Sequence, residues 1–328
     1  MNKPAPTTAP PAPPYESALL FIYTETPLHV GSGAGLGAID LPIQRERMSD
    51  LPVAPGSGLK GALREGFPRT GNNDEAIHLF GPEPPKKGTD TSEPDHAGAL
   101  VLTDARLLLF PIRTVYGGWA WATCPMILER LARDLEIAGW TRPTWADLAP
   151  DPDSTSALIF ADKPPIAPDG KNLLLEDTLY SARRAPAPAG DALVDFFRQA
   201  LPSATSYDPT KKRLAAQLVL LTDEELKHWA RRGTEVTTRV RIDDETGAVA
   251  QGALWTEEAL PAESLLWSLA QISGSRKPKN GTEAPKAATL LSAFSNHLRE
   301  RPRTFLGGDR TIGRGLCGFH LVTKKGAA

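Results

Sequence analysis

The sequence predicts a fold of the α+β class, formed mainly by one large domain behind a short N-terminal tail. Apolar, β-prone runs and short amphipathic helices follow one another without the regular alternation of a parallel doubly wound sheet. In the second half, two strand-like runs are joined by a tight turn, which is typical of an antiparallel hairpin. A chain of 328 residues is long enough to bury a large core.

Composition narrows the classes of protein to which the chain can belong. Charged residues make up 23% of the chain and hydrophobic residues 41%, which is ordinary for a globular protein. The two cysteines, Cys124 and Cys317, lie far apart, which argues against a disulfide framework or a cysteine-rich zinc site and favours a reducing compartment. No apolar run has the length of a membrane span and no signal segment stands at the N-terminus, so we expect a cytoplasmic protein with no membrane partner.

The net charge of −2 gives no overall basic field, so nucleic acid would have to be held by local clusters of cations. Such clusters are also typical of an ordinary solvated surface, and the composition leaves both interpretations open. The clusters comprise Arg45, Arg47, Lys60, Arg64 and Arg69 near the front, and Arg299, Arg301, Arg303, Arg310 and Arg314 near the end.

The first half begins with a proline-rich tail over residues 1–16, which we expect to be disordered because it has almost nothing to bury. A continuous apolar run then predicts a buried strand. Ser57 follows a Pro-Gly turn and is a candidate N-cap. The predicted elements are the strand Ser17–Thr24, helices over Gly58–Glu65 and Asn73–Phe80, the strand Ala99–Phe110, an extended segment Thr114–Thr123 and the helix Pro125–Ile137.

The second half contains the predicted hairpin and the last predicted helix. We expect residues 17–328 to form one domain. Insertions are expected near 82–98, 141–190 and 273–286, where Pro, Gly, Asp or Lys are frequent. The predicted elements are a β-prone segment Lys171–Arg184, a loop Ala185–Gly190, the helix Asp191–Leu201, the strand Leu214–Leu221, a helix from a capping box at Thr222 to Arg232, hairpin strands Glu235–Asp243 and Ala248–Thr256, the strand Leu265–Ile272, the helix Ala287–Arg299 and the strand Leu316–Val322.

The stretch from His29 to Arg64 carries the most chemistry. Glycines at every second position predict a loop whose backbone can lie close against a ligand. A lone acid, Asp40, stands where this loop ends, and a second Gly-Ser segment with a lysine follows at the start of a helix, whose free amides suit an anion. These are the parts needed to hold a phosphodiester and to cut it. The candidate residues are His29, Gly31, Ser32, Gly33, Asp40, Arg45, Ser57, Lys60 and Arg64.

A second glycine-rich loop precedes the final strand and joins the basic cluster near the end of the chain. Its candidate binding residues are Gly307, Gly308, Gly313, Arg314 and Gly315.

Several motifs also allow interpretations without function. The first glycine run is followed by Pro42 and not by a helix, as a dinucleotide fingerprint requires, and the second segment lacks the spacing of a P-loop. His29 is either a general base or RNA contact, or a histidine that hydrogen-bonds the adjacent loop. The residues around Asp40 alone favour a capping or turn role over catalysis. Trp119 and Trp121 are better suited to core packing than to stacking on bases, and Glu257 and Glu258 are expected to cap a loop.

Three motifs together resemble the N-terminal signature of the RAMP superfamily. Further motifs make the chain similar to one family within it, the fourth subunit of the Cmr complex, a type III-B CRISPR RNA-guided effector. The resemblance covers about residues 17–323. The first three motifs are HVGSG from His29, IDLPIQRE from Ile39 and PGSGLKGALR from Pro55, and the further ones are LFPIR from Leu109, WATCP from Trp121 and RVRID from Arg239.

The resemblance implies an RRM-like (ferredoxin-like) palm with a β-hairpin thumb. Copies would stack along CRISPR RNA, and each would cleave complementary single-stranded target RNA at regular intervals within a complex with other Cmr subunits. The family's catalytic aspartate corresponds to Asp40, with His29 as a secondary candidate and a divalent metal ion, Mg²⁺ or Mn²⁺, as cofactor. Lys60 and the Gly307–Gly315 loop correspond to contacts with the guide backbone.

Two alternatives remain within the same superfamily. The chain could be a scaffold that binds RNA without cutting it, or an endonuclease that processes CRISPR RNA from its precursor. A nucleotide-binding enzyme unrelated to this superfamily is a more distant alternative.

Overall fold

The computed structural model describes residues 15–35, 37–67, 74–82, 96–152, 155–277 and 284–324. Residues 1–14 of the predicted tail, 83–95 of the first predicted insertion and 278–283 of the third lie outside the described residues.

The strands form one large mixed sheet and one separate hairpin, which confirms the α+β class. Most neighbours in the large sheet pair antiparallel, and two pairs are parallel. The strands are β1 (Glu16–Thr24), β2 (Val53–Ala54), β3 (Leu100–Leu102), β4 (Ala105–Arg113), β5 (Trp119–Thr123), β6 (Ser156–Ile159), β7 (Asn172–Leu175), β8 (Thr178–Arg184), β9 (Leu218–Leu220), β10 (Glu235–Ile242), β11 (Val249–Ala259), β12 (Leu265–Ile272), β13 (Arg303–Phe305) and β14 (Leu316–Val322).

Seven α-helices within the described residues pack around the sheet or lie at its ends. They are α1 (Gly56–Gly66), α2 (Asp74–Phe80), α3 (Pro125–Ile137), α4 (Ala187–Ala200), α5 (Asp208–Gln217), α6 (Asp223–Arg232) and α7 (Ala287–Glu300). The predicted capping box is confirmed at its first half, because the Thr222 hydroxyl accepts the Glu225 amide at 3.3 Å.

Strand β1 lies inside the large sheet, where it pairs with β12 on one side and β14 on the other. Residues Ala18 to Tyr23 are all buried, on both faces of the strand. The unbroken run Ala-Leu-Leu-Phe-Ile-Tyr makes both faces of this strand apolar. Such a strand is stable only where other elements cover both faces of the sheet. The order across the sheet is β13-β14-β1-β12-β4-β5-β9-β6-β8-β7, with β2 on β4 and β3 on β12.

The far half of the sheet closes on itself. Strands β4, β5, β9, β6, β8 and β7 follow one another, and β7 returns to the end of β4. Thr114 bridges Leu175, and the Glu176 amide donates to the Arg113 carbonyl at 2.9 Å. Closure removes the free edge that β7 would otherwise expose. The segment predicted as an insertion over 141–190 therefore supplies three strands of the sheet and the start of α4.

The strand predicted over Leu214–Leu221 is wrong over its first half. Helix α5 continues to Gln217, and β9 begins only at Leu218. Leu214 and Gln217 lie one helical turn apart and are both buried. A short apolar run cannot separate a helix from a strand by its pattern alone, and this one contains the boundary between the two.

Two helix starts also differ from the prediction. Helix α4 begins at Ala187, inside the predicted loop, because a proline is tolerated in the first turn of a helix. Helix α1 begins at Gly56 after Pro55, so Ser57 is an exposed first-turn residue and not the N-cap. The Asp104 carboxylate accepts the Gly56 amide at 2.9 Å and takes the capping role. Asp104 lies where the predicted strand Ala99–Phe110 breaks into β3 and β4.

The tryptophan pair belongs to the core. Trp121 is fully buried and donates its Nε1–H to the Glu263 carbonyl at 2.7 Å, and Trp119 packs edge-on against it. No helix in the part of the chain that the structure describes is long and apolar enough to cross a membrane.

Candidate functional site

The first glycine run forms a narrow two-armed loop. Its arms are joined by the Gly31–Ile43 bridge and by the Ser32 amide, which donates to the Pro42 carbonyl at 2.9 Å. Nearer the tip, the Gly35 amide donates to the Asp40 carbonyl at 2.7 Å. Residues 31–34 are exposed, so the glycine arm faces solvent.

Asp40 lies at the end of this loop with an exposed carboxylate that is held by one residue of the hairpin. Its Oδ2 accepts both the amide and the hydroxyl of Thr256, each at 2.8 Å. The Asp40 amide in turn donates to the same hydroxyl at 2.9 Å. The Thr256 amide, followed by its hydroxyl, lowers the pKa of Asp40, so the carboxylate is charged at neutral pH.

The backbone after Asp40 runs parallel to β11 and is hydrogen-bonded to it. The Leu41 amide donates to the Thr256 carbonyl, and the Glu258 amide donates to the Leu41 carbonyl, each at 3.0 Å. Leu41 and Glu257 form a parallel bridge. We call residues 40–43 the carboxylate loop and residues 256–258 the hairpin root. The carboxylate loop is therefore attached to the hairpin through main-chain hydrogen bonds as well as through the Thr256 side chain.

A buried acid, Glu258, holds the carboxylate loop in place. Its Oε2 accepts the Ile43 amide at 3.0 Å, and its Oε1 accepts the Thr234 hydroxyl at 2.8 Å. Arg45 pairs with the same oxygen at 2.5 Å and also donates to the carbonyls of Asp50 and Ala230. The guanidinium predicted to bind RNA is thus committed to three acceptors inside the protein, and the geometry gives Arg45 a role in holding the loop.

His29 lies between the two glycine-rich loops and is only 9% exposed. Its Nδ1 lies 2.6 Å from the Glu258 carbonyl, which can only accept, so the proton is on Nδ1. The ring packs so closely on Gly31 that a Cβ there would lie 2.7 Å from Nε2. This burial supports a positioning role for His29 between the loops, and not direct contact with RNA.

The C-terminal glycine loop packs on the same histidine. The Gly308 amide donates to the His29 carbonyl at 2.8 Å, and the Gly315 amide donates to the Pro27 carbonyl at 2.8 Å. Gly307 has a positive φ of 79°, and a Cβ there would lie 2.3 Å from the His29 carbonyl, so only glycine fits. Three of the predicted binding glycines are therefore explained by packing, whereas Gly313 has open space around it.

Arg314, another predicted binding residue, points into the protein. It is 8% exposed, and its Nη2 donates to the Thr237 hydroxyl on β10 at 2.9 Å. Its buried Nη1 has no hydrogen-bond partner among the described residues. Arg314 therefore contacts β10 of the hairpin, and its burial argues against an exposed RNA contact.

Lys60 forms a second cluster together with the cations Arg64 and Arg276. Its Nζ donates to the Leu100 carbonyl at 2.7 Å. Burial, together with the positive charges of Arg64 and Arg276, lowers the pKa of Lys60. Within the described ranges, no ion pair joins any of these three cations to a carboxylate. A bound anion would offset the repulsion among these three positive charges.

The two clusters lie toward opposite ends of strand β12. The loop that carries His29 bridges Leu260, just before β12 begins at Leu265. Lys60 is bonded to Leu100, which pairs with Ile272 at the other end of the strand. Seven strand residues span roughly 20 Å. The residues predicted to form one phosphodiester site therefore lie in two separate clusters. Helix α1 connects them, because its Glu65 pairs with Arg310 of the C-terminal loop at 2.9 Å.

The sequence did not predict the residues that hold Asp40. Thr256 was expected only as the last residue of a hairpin strand, and Glu257 and Glu258 were expected to cap a loop. All three lie in β11, and Glu257 and Glu258 are buried. Arg276 lies within the insertion predicted near 273–286, where the sequence singles out no binding residue. Two adjacent acids at the end of a strand next to a threonine are the one available signal. The residues of the carboxylate loop that Glu258 and Thr256 bond to lie more than 200 residues away in sequence.

The comparisons with known proteins agree with this architecture. The family model of the RAMP superfamily matches residues 21–318. The chain therefore belongs to the RAMP superfamily. Within it, the chain belongs with the Cmr4 proteins: it is 31% identical over 309 residues to the CRISPR system Cmr endoribonuclease Cmr4 of Pyrococcus furiosus, covering 94% of this chain and 95% of that protein.

A second relative and two solved structures extend the comparison. The CRISPR system CMR subunit Cmr4 of Saccharolobus solfataricus is 25% identical over 321 residues, covering 90% of this chain and 93% of the relative. Oligomeric Cmr4 from Pyrococcus furiosus has the same fold, with a TM-score of 0.66, 22% identity, and coverage of 93% of this chain and 97% of that one. A chain of the type III-B Cmr-beta complex bound to cognate target RNA superposes with a TM-score of 0.68 at 22% identity, covering 94% and 98%.

Proposed function

We propose that this protein is a backbone subunit of a type III-B Cmr effector in the cytoplasm. It binds CRISPR RNA, stacks with other copies of itself and with other Cmr subunits, and cleaves complementary target RNA at regular intervals. The observation that carries the proposal is the exposed carboxylate of Asp40, fixed to the hairpin root, in a chain 31% identical to a Cmr endoribonuclease.

We assign the RRM-like palm of a single RAMP domain to four strands and two helices. Strands β14, β1, β12 and β4 lie side by side and pair antiparallel throughout. Along the chain they occur as β1, α1, β4, β12, α7, β14, which is the βαββαβ order of a ferredoxin-like unit. The thumb is the β10–β11 hairpin, which forms a separate two-stranded sheet.

The guide backbone would bind along α1. Lys60, Arg64 and Arg276 form a cationic cluster whose like charges an RNA phosphate would offset. From there α1 leads toward Arg310 and the C-terminal glycine loop, next to the carboxylate loop. A strand that follows this helix would pass from the cationic cluster to the hairpin root.

The arrangement suits cleavage of RNA by its own 2′-hydroxyl. The hydroxyl must lie in line with the departing 5′-oxygen, and A-form duplex geometry does not allow this. A hairpin inserted between paired strands would splay out a nucleotide and permit the alignment, which is a large part of the rate enhancement. Asp40 is exposed beside the hairpin and would accept the hydroxyl proton or orient the group. Its lowered pKa makes it a weak base, which favours the orienting role.

A divalent metal fits this site only with help from RNA. No three His, Cys, Asp or Glu side chains of the described residues lie close enough together to hold a metal ion. Mg²⁺ commonly binds one or two carboxylates together with water and phosphate oxygens, so Asp40 would be the protein ligand. The ion would supply charge stabilisation at the phosphate. Chelation with EDTA should then stop cleavage, and Mg²⁺ or Mn²⁺ should restore it, without releasing the guide.

The decisive experiment is Asp40→Asn in the assembled complex, assayed with end-labelled complementary RNA. Asn keeps an oxygen for Thr256 but removes the charge, so we expect loss of cleavage with unchanged guide binding. Asp244→Asn is the matched control, because Asp244 lies in the exposed turn at the far end of the hairpin. Cleavage at regular intervals by the Asp40→Asn complex would refute the nuclease assignment and favour the non-catalytic scaffold. Cutting of unprocessed repeat RNA by the isolated chain would instead favour the processing enzyme.

A further inference from the structure

The exposed aspartate is held by one side chain that the proposed function does not yet use. Asp40 lies beyond a glycine-rich tip, and in the described residues its carboxylate bonds only to Thr256. An exposed carboxylate without such bonds samples several rotamers, and a displacement of about 1 Å can cost about 100-fold in rate. The group that fixes Asp40 should therefore matter for cleavage, even though it does not touch RNA.

The Thr256 hydroxyl is suited to this task because it makes two bonds to the same residue. It accepts the Asp40 amide at 2.9 Å and donates to Oδ2 at 2.8 Å, which uses the one donor of the hydroxyl and one acceptor site. The Thr256 amide adds a second donor to Oδ2 at 2.8 Å. The main chain and the side chain of Asp40 are thus both hydrogen-bonded to Thr256, and these bonds fix the rotation of the carboxylate.

We propose that Thr256 is the positioning residue of the cleavage site, which holds Oδ2 of Asp40 against the hairpin root and presents Oδ1 to the RNA backbone. The inference rests on the proposed function of Asp40. It adds that the reacting oxygen is Oδ1 and that its orientation is set by the hairpin. Since the Leu41 amide is bonded to the Thr256 carbonyl, any displacement of the hairpin root carries Asp40 with it.

Thr256→Val, Thr256→Ser and Thr238→Val test the proposal in the assembled complex. Val has nearly the shape of Thr but lacks the hydroxyl, whereas Ser retains it. Thr238 is the matched control, because it lies directly opposite Thr256 in the hairpin and its side chain makes no hydrogen bond among the described residues. Single-turnover cleavage of labelled target RNA, guide affinity and melting temperature are measured for each variant.

We expect Thr256→Val to cleave about 10- to 100-fold more slowly, with Thr256→Ser near wild type and Thr238→Val unchanged. Guide affinity and melting temperature should be the same in all three. Rescue by Thr256→Ser gives an independent readout: Ser restores the hydroxyl that bonds to Asp40 without restoring the methyl group, so a loss caused only by altered packing of the side chain would not be rescued.

Two results would overturn the proposal. One is wild-type cleavage by Thr256→Val, and the other is an equal loss in Thr256→Val and Thr238→Val, which would assign the effect to the hairpin in general. Asp40→Asn separates this from failure of the proposed function. If Asp40→Asn still cleaves, the nuclease assignment fails; if it does not cleave and Thr256→Val is normal, only the positioning role of Thr256 fails.

Discussion

Removal of the Glu258 carboxylate should destabilise the fold more than any single exposed ion pair does. Glu258 joins three segments: the carboxylate loop through Ile43, the loop after it through Arg45, and the start of β10 through Thr234. Its side chain is 4% exposed and that of Arg45 is 16% exposed. Glu258→Ala therefore leaves a nearly buried guanidinium without its counter-charge, together with an amide and a hydroxyl that lose their acceptor.

The magnitude follows from the buried charge. Breaking one partner of a buried ion pair costs about 3–5 kcal/mol, most of it the cost of the charge left behind. In a chain of this size each kcal/mol corresponds to about 2 °C in melting temperature, so we expect a decrease of roughly 6–10 °C. The Arg45→Ala/Glu258→Ala double variant should lose much less than the sum of the single variants, because neither charge then remains alone.

Thermal and urea unfolding of the four proteins of this cycle measure the effect. The matched control is Glu176→Ala, which removes an equally short pair with Arg113 at the surface and should leave the melting temperature unchanged. A loss below about 1 kcal/mol for Glu258→Ala, or strict additivity of the two single variants, would refute the reasoning that this pair is buried and coupled.

Three further predictions concern binding, helix stability and pH. Lys60→Met should weaken guide binding and reduce the slope of log affinity against log salt concentration by about 0.7. Lys171→Met, which changes an exposed lysine on another loop, is the control. Equal slopes for Lys60→Met and the wild type in a salt titration would contradict a contact between Lys60 and the guide. Gly61→Ala should raise the free energy of unfolding by about 0.5–1 kcal/mol in urea titration, since a Cβ meets nothing there in the middle of α1; a loss would show an unseen contact. Burial, and secondly the charge of Lys211, lowers the pKa of His320 to about 4 in the folded protein. As pH falls from about 6.5 to 4, His320 therefore takes up a proton in the unfolded chain before it does so in the folded protein, and the free energy of unfolding should fall. His320→Asn should flatten that part of the pH–melting curve, and an unchanged slope would assign it to other groups.

The elements with strong local signals were predicted well. The unbroken apolar run of β1, the proline at the start of α3, the capping threonine of α6 and the turn of the β10–β11 hairpin each determine local structure through neighbours within a few residues. Two of the errors fall at Leu214–Leu221 and Ala185–Gly190, where helix and strand or helix and loop have similar local preferences and packing decides between them.

The candidate site divides in the same way. Asp40 and Lys60 could be singled out from the sequence, because a lone acid after a glycine run and a lysine at a helix start are unusual locally. That these two lie toward opposite ends of β12, and that Arg45 and Arg314 point inward, could not be predicted, since the direction of a side chain depends on partners that are distant in the chain.

The sequence by itself therefore determined the fold class, the hairpin, the superfamily and the presence of an exposed acid on a glycine-rich loop. Only the tertiary structure decided what holds that acid. Thr256 lies 216 residues from Asp40 along the chain, and the two meet because β11 returns beside the carboxylate loop. Hydrogen bonds of this kind depend on atoms within about 3 Å of each other, and such closeness arises from packing of the whole chain and not from any local pattern of residues.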